Sequence, residues 1–318
     1  MKLKFNRAAL VALFAAAGIM SAHAQIFEAN YGVGTIGEYD ATTGALIGTP
    51  ITGLDNPTGL ALAGSNLVVA NYNGPTGGNS GSVAEYTTSG QAVGGFSPIT
   101  GLPQPISVSV SGSDLFVATN GAGNGGAIGE YDARTGAALN ASLISGLNTP
   151  VSVLASGSNV YVLTGGSSGS LLRYSLSGSH VGAPTTLVSS LSFPSAITLS
   201  GGDLFVANSA NSGTIAEYTT SGTLVNPSLA TGFDSAFAAP GGLAVSGNDL
   251  YVTNASVTGS VSEFNATSGA AIGTNPLISG LHTPEGIVVV AEPELSSYAM
   301  LTVGAGMLLL IPRLRRLA

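Results

Sequence analysis

Few residues of this 318-residue chain are of a type that performs chemistry, and they form no recognisable catalytic set. There is no Cys, which excludes disulfides, metal–thiolate sites and thiol catalysis. Of the three His, His180 and His282 fall in predicted turns at opposite ends of their repeats, so no His pair or Ser-His-Asp arrangement is visible. We therefore predict no catalytic residue, no metal ligand and no cofactor.

One pair of residues, His282 and Glu285, is the best local candidate for a site. Glu285 is the only ionisable residue among six that follow a repeated Pro at the start of a predicted inner strand: Thr58, Ile106, Val151, Ser195, Gly241 and Glu285. His282 is close in sequence and could join it. We predict a candidate channel site from this pair, the alternative being two ordinary polar loop residues.

Two further sets of polar residues recur, and we interpret both as structural. The first is a set of strand carboxylates: Glu38, Glu85, Glu130, Glu217 and Glu263. In the propeller predicted below, this strand lies two strands out from the innermost strand of its sheet, or blade, and about 10 Å farther from the axis of the ring. The carboxylates would therefore diverge, and we expect them to pair with backbone or loop groups between blades. The second set is expected to cap loops: Asn30, Asn71, Asn120, Asn208 and Asn254.

The elements that must position these residues repeat along the chain. Six aromatic residues recur at spacings of 47, 45, 43, 44 and 46: Tyr39, Tyr86, Tyr131, Tyr174, Tyr218 and Phe264. Each repeat contains an apolar strand after Pro, a Gly-Ser-Asp type turn, a returning strand, and a strand carrying Glu-Tyr. The period predicts an all-β fold, a propeller with four-stranded blades of about 45 residues.

Incomplete repeats at the two ends of the body predict how the ring closes. The segments IFEAN from Ile26 and TIGEYD from Thr35 match the second and third strands, and TPEGIVVV from Thr283 matches the first. Joined, they make one blade and leave no open sheet edge. We predict six blades over residues 25–290, with seven as the alternative.

The repeat PGGLAVSGNDLYVTN, from Pro240 to Asn254, resembles NHL-type six-bladed propellers and, more loosely, the gluconolactonase and streptogramin-lyase relatives. The resemblance implies the fold over about 265 residues. The metal-dependent enzymes of that group use acidic, Asn or His ligands around the channel, a set that has no match here.

Charge is concentrated at the two ends of the chain. Six of the eight basic residues lie there, and the 25–290 segment keeps 2 basic and 14 acidic residues, a net charge of −12. Such a body has little with which to neutralise phosphates, so we expect no nucleic-acid partner.

The N-terminus has the three parts of an export signal. MKLKFNR is followed by an apolar run from Ala8 to Met20 and by small residues at Ala22 and Ala24. The run of about 13 residues would extend only about 20 Å as a helix, too short for a membrane. We predict a signal peptide over residues 1–24, cleaved by signal peptidase between Ala24 and Gln25.

The C-terminal segment 291–318 also has three parts. Glu292 and Pro293 precede an apolar stretch from about Tyr298 to Pro312, and the basic cluster Arg313, Arg315 and Arg316 follows. This order resembles the PEP-CTERM sorting signal, with Ala291 in place of the motif's first Pro. The resemblance implies a transient transmembrane helix with the body outside, processing by an exosortase, and association with exopolysaccharide or biofilm matrix.

Together these features predict an exported, cell-surface or extracellular-matrix propeller, a non-catalytic binding or structural protein whose partner is exopolysaccharide or a surface protein. Two alternatives stay open. One is a secreted lactonase or lyase acting on a sugar or lactone. The other is a surface-adsorbing or ice-adsorbing protein that uses rows of Ser, Thr and Asn.

Overall fold

Six antiparallel sheets make up the computed structural model, which describes residues 24–73, 80–121, 125–178, 180–210, 213–233 and 239–291. These residues form 25 strands and no helix, so no helix among them is long and apolar enough to cross a membrane. The all-β prediction is confirmed.

The strands are assigned to blades by their hydrogen-bonded order, with the innermost strand first. Blade 1 contains β4 (Pro57–Ala63), β5 (Asn66–Asn71), β6 (Gly81–Thr87) and β7 (Ile99–Leu102). Blade 2 contains β8 (Pro105–Ser111), β9 (Asp114–Thr119), β10 (Gly126–Asp132) and β11 (Ala138–Leu147). Blade 3 contains β12 (Pro150–Ser156), β13 (Asn159–Thr164), β14 (Gly169–Ser177) and β16 (Thr185–Leu191), with β15 (His180–Val181) as a short addition to β14.

Blade 4 contains β17 (Pro194–Ser200), β18 (Asp203–Asn208), β19 (Thr214–Thr219) and β20 (Leu224–Thr231). Blade 5 contains β21 (Ala239–Ser246), β22 (Asp249–Ala255), β23 (Gly259–Asn265) and β24 (Ile278–Leu281). Blade 6 contains β25 (Pro284–Val290), β1 (Gln25–Asn30), β2 (Thr35–Asp40) and β3 (Leu46–Thr52).

Blade 6 closes the ring, because its innermost strand comes from the end of the body and its other three from the beginning. β1 pairs antiparallel with β25, placing Gln25 opposite Val290 and Phe27 opposite Val288. The prediction of six blades closed by both chain ends is confirmed. Because β25 pairs with β1, the innermost strand of every blade is hydrogen-bonded to a second strand, and no gap is left between the first and last blades.

The inner strands of neighbouring blades are linked by hydroxyl groups, which accounts for part of the chain's richness in Ser and Thr. Thr58 donates to the carbonyl of Pro105 at 3.1 Å, and Ser109 accepts from the backbone N–H of Ala155 at 2.9 Å. Thr253 likewise reaches across from blade 5 to blade 6. These bonds hold adjacent inner strands together where no β-ladder joins them.

A left-handed residue lies just before the innermost strand in five of the six blades. The five residues have φ between 47° and 58°: Asn56, Gln104, Thr149, Phe193 and Thr283. Each carbonyl accepts a hydrogen bond from the residue that follows the second strand of the same blade. The bond fixes the position of that following residue.

The outer parts of the blades pack through glycines in the turn before the fourth strand. Gly269 has φ +69°, and a Cβ there would collide with the carbonyl oxygen of Leu229 in blade 4. Gly44, Gly90, Gly136 and Gly222 make the corresponding approach in other blades. Only glycine combines positive φ with so close a backbone approach, which explains the recurring Ser-Gly and Thr-Gly turns.

The hydrophobic core lies between blades rather than in one central cluster. Residues of the second strands are almost all buried, and alternate residues face opposite neighbours: Val68 and Ala70 pack towards blade 2, whereas Leu67 and Val69 pack towards blade 6. The strand alternation thus serves two interfaces at once. What remains for the channel is the inner strands and the residues at their ends.

Candidate ligand site at the channel mouth

The axial channel forms a cavity of about 650 Å³ among the described residues. Its wall is made by the innermost strands of all six blades, together with Tyr31, Tyr72 and Asn120. These three residues follow the second strands of blades 6, 1 and 2, at the end of the channel where the inner strands begin. They make that end, the mouth, more polar and more aromatic than the strand-lined interior.

Tyr31 and Tyr72 form an aromatic pair at the mouth. Their ring centroids are 6.4 Å apart and the planes are inclined at 66°, an edge-to-face arrangement. The backbone N–H of Tyr72 donates to Asn56 at 3.0 Å, and that of Tyr31 donates to Thr283 at 3.2 Å. Both accepting residues have left-handed backbone conformations. The strained backbone just before each inner strand therefore holds a tyrosine beside the channel.

A side-chain bridge further ties the two tyrosine loops together. The Asn56 amide donates to the Tyr31 carbonyl at 3.3 Å and accepts from the Asn73 amide at 2.8 Å. Asn56 therefore connects the loop of blade 6 with that of blade 1, so the aromatic pair is positioned before any ligand arrives.

The mouth is asymmetric because only two blades carry tyrosine at this position. The equivalent residues of blades 2 to 5 are Asn120, Gly165, Ser209 and Ala255. The assignment of Asn120 to the loop-capping set is therefore corrected: β9 ends at Thr119, and Asn120 lies one position later, on the cavity wall. The aromatic pair itself was missed, since a Tyr after a strand resembles any other strand-end residue in one sequence.

Glu285 lies on the cavity wall, as the sequence suggested, and is the second residue of β25. Burial raises the pKa of its carboxyl to about 7. The backbone around it is fixed by Thr253, whose hydroxyl donates to the Glu285 carbonyl at 2.9 Å and accepts from Gly242 N–H at 2.6 Å. Glu285 is the only carboxylate among the wall residues, none of which is basic.

Electrostatic interaction connects Glu285 with the aromatic pair. The pKa of Tyr31 is raised first by burial, and then by Tyr72 and by Glu285. The three residues thus share one environment at the mouth. Thr58 also lies on the wall there, and its hydroxyl is already engaged with Pro105.

His282 lies in the connection before β25, with its side chain exposed, and is not among the wall residues. Its backbone N–H donates to the Asn30 side chain at 2.9 Å and its carbonyl accepts from Gly32. The backbone of His282 thus joins the connection before β25 to the residues at the end of β1, and its joint site with Glu285 stays a prediction. His180 is exposed on β15, at the opposite end of the blades.

A second carboxyl, Glu28, was not singled out from the sequence. It is 0% exposed on β1, and neither of its carboxylate oxygens has a hydrogen-bond partner. Burial, followed by the charge of Glu285, raises its pKa to about 8. The five other blades have Val at this place: Val69, Val117, Val162, Val206 and Val252. Aligning IFEAN with the other second strands would have revealed it.

Two of the recurring strand carboxylates have structural partners, which lie within the same blade rather than between blades. Glu85 accepts a hydrogen bond from Asn66 at 2.9 Å, and Glu263 is hydrogen-bonded to Tyr251 on the adjacent strand. Burial raises the pKa of Glu130 and Glu217. The expected pairing between blades is corrected on this point.

No group of three or more His, Asp or Glu side chains that could hold a metal ion occurs in the described part of the chain. At the ends, Ala24 precedes β1 and Gln25 is its first residue. Ala22, Glu292, Pro293 and the basic cluster Arg313, Arg315 and Arg316 lie outside the described residues.

Fold and channel together define the class: this is a six-bladed β-propeller with a candidate ligand site at one end of its axial channel. No known protein family and no curated protein matches the sequence. Solved structures do resemble it at low identity, which shows the fold alone.

Three of these structures illustrate the resemblance. A Bacteroides caccae protein of unknown function is 12% identical, with a TM-score of 0.61, over 85% of this chain and 100% of its own. TolB from Acinetobacter baumannii is 14% identical, with a TM-score of 0.59, over 90% and 70%. The Xanthomonas campestris gluconolactonase XC5397 is 12% identical, with a TM-score of 0.52, over 73% and 84%.

Proposed function

We propose that this propeller is an exported cell-surface or extracellular-matrix protein that binds exopolysaccharide at the channel mouth without catalysing a reaction. A surface protein is the other partner consistent with this role. The observation that supports the proposal best is the preformed group of Tyr31, Tyr72 and Glu285 on the wall of a 650 Å³ cavity.

The chemistry of the mouth suits a sugar. Aromatic rings provide apolar faces against which the C–H face of a pyranose packs, and a carboxylate and an amide accept or donate the hydrogen bonds that orient its hydroxyls. Tyr31, Tyr72, Glu285 and Asn120 supply both kinds of group on one rim. A polymer chain could pass across the mouth while one residue enters it.

Location is proposed from the chain ends. Signal peptidase would release the body at Gln25, the first residue of β1, and an exosortase would act on the segment beginning near Glu292. The hydrophobic tail would give transient contact with the inner membrane before the body reaches the surface or matrix. Because β25 ends at Val290, both processing steps would leave all 25 strands in the body.

A second candidate is a secreted lactonase or lyase acting on a sugar or lactone. One observation favours it: the pKa of Glu285 lies near 7, the range in which a carboxylate serves as a general base. In that case Glu285 would abstract a proton or activate water.

Two measurements on the same preparation separate these proposals. Full-length protein, purified in mild detergent, is titrated with exopolysaccharide from the producing cells, and a lactone and oligosaccharide panel is assayed for turnover with and without divalent metal. Saturable binding without turnover supports the binding role. Turnover that is lost in Glu285→Gln but kept in Glu38→Gln, a carboxylate away from the channel, would instead establish the enzyme.

A further inference from the structure

We infer that the channel mouth selects a ligand carrying a protonated primary amine, such as an amino sugar with a free amino group, which Glu285 and the Tyr31–Tyr72 pair would hold. This inference rests on the proposed binding role and specifies its ligand class. It follows from the charge and the geometry of the mouth.

The carboxylate of Glu285 has no basic counterpart on the cavity wall. The wall residues include no Lys, Arg or His. The body has just two basic residues of the Lys and Arg type: Arg134 is in the turn after β10, and Arg173 lies on β14, where its guanidinium contacts the Thr220 carbonyl. A carboxylate removed from water is strongly favoured by a cation placed beside it.

The ionisable groups that interact with Glu285 are acidic or aromatic. Glu28 on β1 and Tyr31 after β1 are the ionisable groups that interact with it electrostatically, and Tyr72 interacts with Tyr31. From blade 5, Thr253 contributes only a hydroxyl, which is bound to the backbone of Glu285. None of these groups supplies positive charge.

The two tyrosine rings at the mouth also favour a cation. An ammonium group near the face of a tyrosine is attracted by the ring quadrupole, and the attraction grows when water is excluded. With centroids 6.4 Å apart and planes inclined at 66°, the rings present differently oriented surfaces to the mouth. A compact R–NH₃⁺ group can therefore contact a ring while donating to the carboxylate.

The charge of the whole body acts in the same direction. With a net charge of −12 over residues 25–290, the propeller attracts polycations and repels polyanions at moderate ionic strength. An acidic polysaccharide would be repelled by the net charge of the body and by the Glu285 carboxylate at the mouth. A polymer with free, protonated amines would be attracted by the net charge and could form an ion pair with Glu285.

The inference predicts a specific pH profile. Binding requires an ionised Glu285, whose pKa is about 7, and a protonated amine on the ligand, so affinity should fall as the pH drops below neutrality and should fall again in alkaline solution, where the amine loses its proton. Amine binding should itself lower that pKa, because the ammonium stabilises the carboxylate.

The test compares two ligands that differ at the sugar nitrogen, which is a free amine in one and an uncharged acetylated amide in the other. Full-length protein in mild detergent is titrated with a β-1,4-glucosamine oligosaccharide and with its fully N-acetylated counterpart, at pH 7.5 and pH 5.5. We expect the free amine to bind on the order of tenfold more tightly or better, and this preference to disappear in Glu285→Gln. Glu38→Gln should keep it, which separates site charge from total charge.

The outcomes distinguish failure of this inference from failure of the proposed function. Equal affinity for both oligosaccharides, or tighter binding of the acetylated one, would overturn the amine selectivity while leaving sugar binding in place. Binding of Ca²⁺ at Glu285, seen by calorimetry as competition with the amine, would overturn it in favour of a metal site. No binding of either oligosaccharide or of the native exopolysaccharide would overturn both.

Discussion

Glu28 of β1 lies opposite Ile287 of β25 in the ladder that closes the ring. A fully buried carboxyl thus occupies the one strand pair that joins the two ends of the body. Five other blades fill the same place with Val, so the closing blade differs from its neighbours at its centre. This relationship makes the closing blade sensitive to mutation and to pH.

Replacing Glu28 by Val should stabilise the protein. A buried carboxyl without hydrogen-bond partners is costly even when protonated, and Val restores the apolar packing of the other blades. We expect a gain of about 2 kcal/mol in the free energy of unfolding at pH 8, measured by urea denaturation. The reciprocal change Val252→Glu in blade 5 should destabilise by a similar amount or more. A loss of stability in Glu28→Val would show that the carboxyl is needed in its place.

The stability of the wild-type protein should decrease as the pH rises from about 4.5 to about 8. The folded-state pKa values of Glu28 and Glu285, about 8 and about 7, lie above the unfolded value of 4.5, so the folded state binds more protons in this window. Below pH 4.5 both states are protonated at these groups and the effect is absent. The melting temperature, followed by circular dichroism from pH 4 to 9, should show this slope.

Glu28→Val provides the control for that profile, since it removes the larger of the two shifts. Its melting temperature should vary less over the same range. A wild-type stability that rises steadily from pH 5 to pH 8 would contradict the burial of these two carboxyls.

Replacing Gly269 by Ala should weaken the contact between blades 4 and 5. Both Gly269 and Gly178 have positive φ, so Ala at either costs about 1 kcal/mol in backbone strain. Only at Gly269 would the new Cβ also collide with backbone, the carbonyl of Leu229; at Gly178 nothing lies within 4 Å. We expect Gly269→Ala to cost about 1–3 kcal/mol more than Gly178→Ala. Equal losses would argue against this inter-blade contact.

Export and sorting can be checked directly on protein recovered from the producing cells. We expect an N-terminus at Gln25 by mass spectrometry, and surface-associated protein that lacks the hydrophobic C-terminal segment. Replacing Glu292 and Pro293 by Ala should leave the uncleaved chain in the membrane fraction. Recovery of the intact chain from the cytoplasm would contradict the export proposal.

Much of the fold could be predicted from the sequence because its information is repeated. Each blade gives the same alternation and the same turns, so Tyr39 to Phe264 mark the period even where one repeat is irregular. The closing blade was predictable for the same reason: the segments from Ile26 and Thr283 are the missing parts of one repeat. A strand or turn that is ambiguous in one repeat can be assigned from the equivalent segments of the other repeats.

The site was predictable only in part, because a site consists of departures from the repeat. Glu285 could be found as the one ionisable residue of an aligned set. Tyr31 and Tyr72 were not, since their role depends on which loop residues turn towards the axis, which is set by the left-handed residues Asn56 and Thr283. Glu28 could have been found in the same way as Glu285, because the aligned second strands have Val at its position.

The most direct test of the account is the affinity of the full-length protein for the exopolysaccharide of the producing cells, measured by calorimetry for wild type and for Tyr31→Ala with Tyr72→Ala. Phe193→Ala is the matched control, because Phe193 is an exposed aromatic residue that does not line the cavity. We predict saturable binding by wild type and by Phe193→Ala, and a loss of about tenfold or more in the double variant. Unchanged binding in the folded double variant would contradict a ligand site at the channel mouth.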